Sequence, residues 1–315
     1  MILRLLQWRP VQTDVVAWYP DLAVLRRLVR ARDWGGVEAY FNGFPPRADR
    51  STAVLLVANT RGSERFLQKA VDTQRDSALA RTLLGARFVV LGWKARTRAW
   101  AKDVSPAQRR VFIDYLTRAE RVLADAVAID PADSAAWTER ITTARALSLG
   151  QDEARRRYER AAEHCDTPYR AQVQLVQNLC PKWGGSFAQV HAFAAECLRE
   201  GKPGSLGGAI AAQAQMEQAL NEYYVRDIRQ YLARADVRKK IEAAAAQTVL
   251  HPDFVPGHGW VTAHSAFAAA FHLGGHIAAS RPHLQALGSF ADPYGWDQIS
   301  TKWKELVRLA RRDAR

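Results

Sequence analysis

The sequence is poor in cysteine and shows no cysteine pattern of a disulfide framework or a thiolate metal site. Its three cysteines, Cys165, Cys180 and Cys197, are an odd number, and no two of them form a CxxC pair. Disulfide scaffolds use even sets of cysteines, and thiolate metal sites use closely spaced pairs. We therefore interpret the three as small, buried apolar residues in a reducing compartment.

Long apolar runs are also lacking. Runs such as Phe88–Trp93 fall far short of the roughly 18 uninterrupted residues that a membrane span needs. Near the beginning of the sequence, Arg4, Gln7 and Arg9 interrupt an apolar group before a secretory h-region forms. We predict a cytoplasmic protein that makes no integral membrane contact.

The sequence also lacks the residue patterns of strands and of common catalytic sites. Val and Ile do not alternate with polar residues over a sustained stretch, so we expect almost no sheet. The Gly-rich segment 201–208 lacks the GxxxxGK[ST] order of a phosphate-binding loop, and paired carboxylates for acid–base chemistry are not apparent. We predict a protein that is not an enzyme and uses no cofactor.

Core-forming residues are abundant. Hydrophobic residues make up 48% of the chain and aromatic residues 10%, including ten Trp, which excludes a disordered protein. The formal net charge of +13 points to an acidic or nucleic-acid partner. However, 36 of the 45 basic residues are Arg in an Ala-rich chain, a bias that high-GC coding also produces. The charge alone does not decide whether the basic surface is functional.

An internal repeat is the strongest structural signal. Ala119, Leu123, Ala126 and Pro131 have the spacing of the second helix of a tetratricopeptide repeat and the Pro that follows it. A second copy of the helix part follows at Ala154, Tyr158 and Ala161, and fainter copies lie at Ala188, Ala192 and Ala195 and at Ala279, His283 and Ala286. Residues three and four apart share a helix face, where small side chains let a neighbouring helix approach. Each unit is therefore predicted to be a helical hairpin.

The predicted fold is all-α, a tetratricopeptide-like solenoid of stacked antiparallel helical hairpins. It forms one domain over residues 1–315, with a possible hinge at 201–208. The predicted helices are 21–31, 35–43, 51–59, 63–71, 77–100, 106–128, 133–148, 151–164, 168–179, 186–200, 205–220, 222–233, 236–249, 255–272, 275–288 and 296–312. The last of these is amphipathic and suits a helix that caps the end of the solenoid.

Residues 77–196 contain Gly92-Trp93, Val104-Ser105, Asp130-Pro131 and the segment Lys182-Trp183-Gly184-Gly185-Ser186. In these motifs, and most specifically in the last, they resemble an uncharacterised family of bacterial tetratricopeptide-like proteins, and the Ala/Arg-rich character looks actinobacterial. It implies a helical-repeat fold and no known activity, so it carries no catalytic residue onto this chain.

The segment Lys182–Ser186 itself is interpreted as a structural elbow between two helices. Gly184 and Gly185 permit positive φ, and Ser186 can cap the helix that begins at Phe187. Trp183 would fill the space between hairpins, with the stem of Lys182 over its indole, so that Trp183→Ala should cost about 3 to 5 kcal/mol.

A basic segment supplies the candidate partner-binding residues. From Arg81 to Arg121 there are ten Arg or Lys against three acidic residues. The spacings of Arg87, Lys94, Arg98 and Lys102 place them on one side of a helix. The favoured function is a scaffold or adaptor that binds a protein or peptide partner, and the basic segment points to an acidic one. The alternative is a nucleic-acid-binding protein that uses the same face, and an enzyme with an unrecognised site ranks third.

Two other residue groups contain types used in active sites. Six of the eight histidines lie between His251 and His283, and His272 and His276 have the i,i+4 spacing of zinc ligands. Gly274-Gly275 falls between these two, so we expect them on different helices and predict no metal site. In His164-Cys165-Asp166, sequence neighbours cannot converge on one reacting atom as a catalytic triad does, and Asp166 is interpreted as a helix cap.

Overall fold

The computed structural model describes residues 10–97, 103–223 and 225–314. About 71% of the chain is helical, more than twice the share in an average globular domain. The described residues form seventeen α-helices and contain no strand, only an isolated bridge between Gln12 and Phe290. The all-α prediction is confirmed.

Contacts divide the chain into two compact units, where the sequence favoured one continuous domain. The first unit is Tyr19–Gly185, and the second combines the residues from Ser186 onward with the described residues before Tyr19. The helices of the first unit are α2 (Leu22–Ala31), α3 (Trp34–Asn42), α4 (Ser51–Asn59), α5 (Glu64–Thr73), α6 (Ala78–Arg96), α7 (Pro106–Ile129), α8 (Ser134–Ala146), α9 (Gln151–Glu163) and α10 (Tyr169–Leu179). A 3-10 turn, Pro181–Trp183, follows α10.

The second unit begins, in chain order, with the short helix α1 (Val15–Trp18). Its other helices are α11 (Phe187–Glu200), α12 (Ile210–Glu222), α13 (Val225–Leu232), α14 (Ala235–Gln247), α15 (Trp260–Leu273), α16 (Ile277–Leu287) and α17 (Trp303–Asp313). The apolar helix α15 packs against α12 and α16, and α17 packs against α16. Phe267, Phe271 and Trp296 are among the largest fully buried side chains.

Local capping signals account for several helix ends. Ser105 and Gln108 form a reciprocal capping box at the start of α7, with Pro106 at its first position. Asp133 accepts hydrogen bonds from the backbone of Ala135 and Ala136 at the start of α8. Gly150 directly precedes α9 with φ +89°, a backbone conformation that glycine readily adopts.

Small residues allow close helix contact in the first unit. A Cβ added at Gly92 of α6 would overlap the side chain of Leu116 on α7, and one at Gly85 would meet Leu123. The two helices therefore run in opposite directions at close range. Ala119, Leu123 and Ala126 are fully buried, as are Ala154 and Ala161 of the next copy. Both segments thus bury the face that the spacing of their small residues predicted.

The two faint repeat copies were wrong. Ala188, Ala192 and Ala195 of α11 are exposed, and this helix buries a different face, which contains Phe187, Val190 and Phe193. In α16, Ala286 is exposed and Ala279 is partly exposed. Ala is common throughout the chain, so its spacing alone does not identify a packed face.

Helix contacts in the first unit follow a regular order. Helix α4 packs against α6, α6 against α8, and α8 against α10. In addition, α5 packs against α6, α7 against α8, and α9 against α10. The helices α4, α6, α8 and α10 are therefore neighbours although other helices separate them in sequence.

The segment predicted as a hinge is packed within the second unit. Leu206–Gly208 forms a short 3-10 helix, and its three residues are buried. A Cβ at Gly208 would collide with Leu198 of α11. The glycines here allow this segment to pack closely against α11. The hinge stays a prediction.

Among the described residues, none of the helices combines the length and the apolar character that crossing a membrane requires.

Candidate functional site

The four predicted partner-binding residues do not form one exposed row. Arg87 is 3% exposed, its Nε and Nη2 bond Glu64 of α5, and its Nη1 donates to the carbonyl of Ala58 at 2.8 Å. Arg87 is therefore a buried structural residue, which corrects its assignment to an exposed face. Lys94 is exposed as expected. Arg98 and Lys102 lie outside the described residues.

Lys94 lies instead at a pocket of about 530 Å³ in the first unit. One helix from each successive pair contributes to this pocket, which we call the α4–α10 pocket. Its lining residues are Leu55 and Asn59 of α4; Val89, Val90, Trp93 and Lys94 of α6; Thr97, which directly follows α6; Glu139, Thr142 and Arg145 of α8; and Arg170 and Gln174 of α10.

Trp93 forms the aromatic part of the pocket. Its ring meets Phe112 edge-on at 5.0 Å and Trp183 edge-on at 6.0 Å. The guanidinium groups of Arg96 and Arg145 lie 5.5 and 5.3 Å from its centroid, within the range of cation–π attraction. The Nε1–H of Trp93 is buried and has no hydrogen-bond partner among the described residues.

Gln174 of α10 orients two residues of α8. Its side-chain oxygen accepts from the Thr142 hydroxyl at 3.0 Å and from Arg145 Nη2 at 3.2 Å. Since Trp93 also faces the Arg145 guanidinium, this cation is held between α6 and α10. Its position is therefore fixed by packing, as a preformed binding site requires.

Glu139 is the most unusual residue of the pocket. It is 2% exposed, yet no donor among the described residues reaches its carboxylate as a hydrogen bond or ion pair. Burial raises its pKa, and the charges of Arg170 and Arg145 oppose that rise without cancelling it. Arg170, in turn, has a buried Nε–H without a partner in the described structure. Perturbed and unpaired groups in one concave site mark a candidate binding site.

Two local features of the segment Lys182–Ser186 agree with the sequence analysis, and the elbow interpretation stays a prediction. Gly184 has φ +92°, and Ser186 accepts from the backbone N–H of Gln189 to cap α11. Gly185 serves a different purpose from the one expected, because a Cβ there would overlap the carbonyl of Leu179. The guanidinium groups of Arg96 and Arg145 lie 6.0 and 5.6 Å from the centroid of the Trp183 ring, where Lys182 was predicted to lie.

Trp183→Ala should lower the free energy of unfolding by about 2 kcal/mol, below the 3 to 5 expected for a fully buried Trp, because this ring is half-buried. Urea unfolding measures the change. Lys182→Ala is the matched control, and its exposed side chain should change stability by less than about 0.5 kcal/mol. A loss of ligand binding in Trp183→Ala without any change in stability would show that Trp183 is a recognition residue and not part of an elbow.

The histidine-rich segment distributes its side chains over separate places. His272 lies in the last turn of α15, whereas His276 precedes α16 and its Nε2 bonds the carbonyl of Leu232. The prediction of different helices is confirmed. No group of three or more metal-ligating side chains occurs in the described part of the chain. His264 and His283 form a buried pair, with their Nδ1 atoms 3.1 Å apart.

The side chains of His164, Cys165 and Asp166 have different surroundings. Cys165 is buried, and burial with the nearby Asp49 charge raises the pKa of its thiol to about 12, so the nucleophilic thiolate is disfavoured. Asp166 forms an ion pair with Arg47 at 2.6 Å, and α10 has no side-chain cap, which corrects the cap interpretation.

Glu139, Arg145 and Arg170 were not identified from the sequence. Their signal was spacing: Glu139, Thr142 and Arg145 recur every three residues, and Arg170 and Gln174 are four apart, so each set shares a helix face. Only the tertiary packing of α8 against α10 brings these two faces together in one pocket. No protein-family model matches this chain, and no curated protein resembles it significantly.

Proposed function

We propose that this protein is a non-enzymatic binding module, a scaffold or adaptor, whose first unit is a tetratricopeptide-like stack of antiparallel helical hairpins. Two observations support the stack: the two strong repeat copies bury their small residues, and α4, α6, α8 and α10 pack in succession while α5, α7 and α9 fill the positions between them. Stacked hairpins produce this alternation and a concave surface lined by one helix of each pair.

The proposed partner is a protein or peptide segment with acidic side chains, bound in the α4–α10 pocket. The observation that carries the proposal is the set of cations around this pocket: Lys94, Arg145 and Arg170 outnumber the one acidic lining residue, Glu139. Arginine matches the geometry of a carboxylate, and its hydrogen bonds to a charged group are strong. A volume of about 530 Å³ suits a few side chains.

Nucleic-acid binding by the same helix is less favoured. The row that would follow a phosphate backbone included Arg87, whose charge is instead used by Glu64 inside the unit. Because Arg87 is buried, it cannot contact a phosphate group, and the row of basic residues is broken there. The strength of salt-dependent binding depends on the number of phosphate contacts.

The cytoplasm is the proposed location, since the three cysteines are buried and form no disulfide with one another, which suits a reducing compartment. The resemblance to bacterial tetratricopeptide-like proteins belongs to the same proposal and adds no ligand to it.

Arg170→Gln should weaken the binding of a fluorescent N-acetylated hexaglutamate peptide by roughly tenfold or more, because a charge-assisted hydrogen bond contributes about 1.5 to 3 kcal/mol. Fluorescence anisotropy measures the dissociation constant. Arg160→Gln removes the same charge from an exposed position of α9 that pairs with Glu163, and it is expected to bind as the wild type does.

Other outcomes would contradict the proposal in distinct ways. Equal weakening in both variants would indicate a general charge effect without a pocket. Tight binding of a single-stranded uridine dodecamer that Arg170→Gln abolishes would favour nucleic acid. Affinity purification from the native host, with and without nuclease, then shows whether the natural partner is retained without RNA or DNA.

A further inference from the structure

Glu139 occupies a position that a charged carboxylate rarely tolerates. It lies on α8 at the α4–α10 pocket, 2% exposed, and no described side chain or backbone group donates to it. An ionised carboxylate without donors loses its hydration and gains nothing in exchange, so such a group commonly takes up a proton.

The charges around Glu139 come from a small number of helices. Helix α4 contains no ionisable residue, α6 contributes Lys94, α10 contributes Arg170, and α8 itself contributes Arg145. Helices α7 and α9 also pack against α8, but their Glu120 and Arg157 contact Arg140 and Thr143 of α8 and not Glu139. The local balance is therefore three cations against one carboxylate.

The unpartnered groups of this pocket are complementary to one kind of ligand. Trp93 Nε1–H and Arg170 Nε–H are buried donors without acceptors in the described structure. A protonated Glu139 would add a donor at the pocket itself, its O–H. A donor that lies among the cations Lys94, Arg145 and Arg170 favours an acceptor with negative charge, and a carboxylate has two oxygens that accept several hydrogen bonds.

An ionised Glu139 would have the opposite effect. A ligand carboxylate in the pocket would then lie beside a second, ionised carboxylate. A neighbouring negative charge disfavours the ionised form of a carboxyl group, so a bound ligand carboxylate favours protonation of Glu139. Proton uptake and ligand binding would thus favour each other.

We propose that the pocket binds a carboxylate of its acidic partner together with one proton, and that Glu139 enters the complex as the neutral acid and donates its O–H to the ligand. The proton comes from solvent, and no covalent bond changes. This inference rests on the proposed acidic-peptide function. Above the pH at which Glu139 ionises in the ligand-free protein, the affinity falls as the pH rises, by up to tenfold per pH unit.

The test is titration calorimetry with N-acetylated hexaglutamate between pH 6 and 9, in buffers that differ in ionisation enthalpy. The peptide is fully ionised in this range. The wild type should take up as much as one proton per peptide bound, and its dissociation constant should rise with pH. Glu139→Gln should bind without proton uptake and with a dissociation constant that does not change with pH. Glu159→Gln, an exposed position on α9, keeps the wild-type dependence.

Each outcome discriminates between the two proposals. If the wild type binds no peptide at any pH, the proposed function fails. If it binds with the same affinity from pH 6 to 9, or if Glu139→Gln keeps the wild-type dependence, only the proton coupling fails. Should Glu139→Gln not fold, a difference infrared spectrum of the wild type with and without peptide replaces it. A C=O band of a protonated carboxyl group in the complex supports the inference, and its absence overturns it.

Discussion

Glu120→Ala is expected to lower the free energy of unfolding by roughly 3 to 5 kcal/mol, because it removes the shared acceptor of a buried ion network. Glu120 of α7 accepts from Arg157 Nη1 and Nη2 at 2.9 and 2.8 Å, from Arg140 Nη2 at 2.8 Å, and from the Thr143 hydroxyl. One carboxylate therefore connects three helices, α7, α8 and α9.

The size of the effect follows from the charge that is left behind. The side chain of Arg157 is only 3% exposed, so it cannot regain water when Glu120 is removed. Its remaining carboxylate partner is Glu153, at 2.6 Å from Nε. A buried cation that loses its main acceptor costs far more than an exposed ion pair contributes.

Urea unfolding of the variant measures this cost, and Glu159→Ala supplies the control. Glu159 pairs with Arg155 four residues earlier on α9, and both side chains are well exposed. Its removal should change stability by less than about 1 kcal/mol. Similar small changes in both variants would mean that the network around Glu120 contributes no more than a surface pair.

Local features of the fold were predictable from the sequence. The ends of α7 and α8 follow from Ser105-Pro106 and Asp133, since caps and proline act through bonds within a few residues. The burial of Ala119, Leu123 and Ala126 also followed from their spacing. Helices and their apolar faces are properties of short segments, and that is why the all-α assignment was correct.

The site depended on tertiary contacts that the spacing of residues does not determine. Arg87 and Lys94 are seven residues apart on one side of α6, yet one is buried against Glu64 and the other is exposed. Nothing in the spacing around Glu139 indicates that α6 and α10 also line the pocket at this residue. Periodicity tells which residues share a face but does not tell what covers it.

The buried pair of His264 and His283 should make the protein sensitive to acid. The Nδ1 atoms lie 3.1 Å apart, so in the neutral pair one Nδ1–H donates to the other Nδ1. The His283 ring stacks between Phe267 and Phe271, with centroids at 5.1 and 5.6 Å, and Phe254 and Trp260 surround His264. Among the described residues, no carboxylate lies near either ring to raise its pKa and stabilise an imidazolium.

Burial lowers the pKa of His264 to about 4, and burial together with the neighbouring His264 lowers the pKa of His283 to about 3. The unfolded chain therefore binds protons at a higher pH than the folded one. The contribution of the two neutral histidines to the free energy of unfolding is therefore fully present above about pH 6.5, the pKa of histidine in the unfolded chain. It declines as the pH falls below this value. Between pH 7.5 and 4.5, each histidine should remove about 2 to 3 kcal/mol.

The combined loss of stability, on the order of 5 kcal/mol, is measured by urea unfolding at a series of pH values. Replacing both partners with apolar residues of similar size can be nearly neutral, so the double variant His264→Leu with His283→Leu should fold at pH 7.5. Between pH 7.5 and 4.5 it should lose about 5 kcal/mol less stability than the wild type. Carboxylates titrate in the same range, but they are shared by both proteins and cancel in the comparison. His251→Gln, at a separate histidine 28% exposed, should keep the wild-type acid response. If the double variant lost as much stability as the wild type between pH 7.5 and 4.5, the acid response would have to come from groups other than this pair.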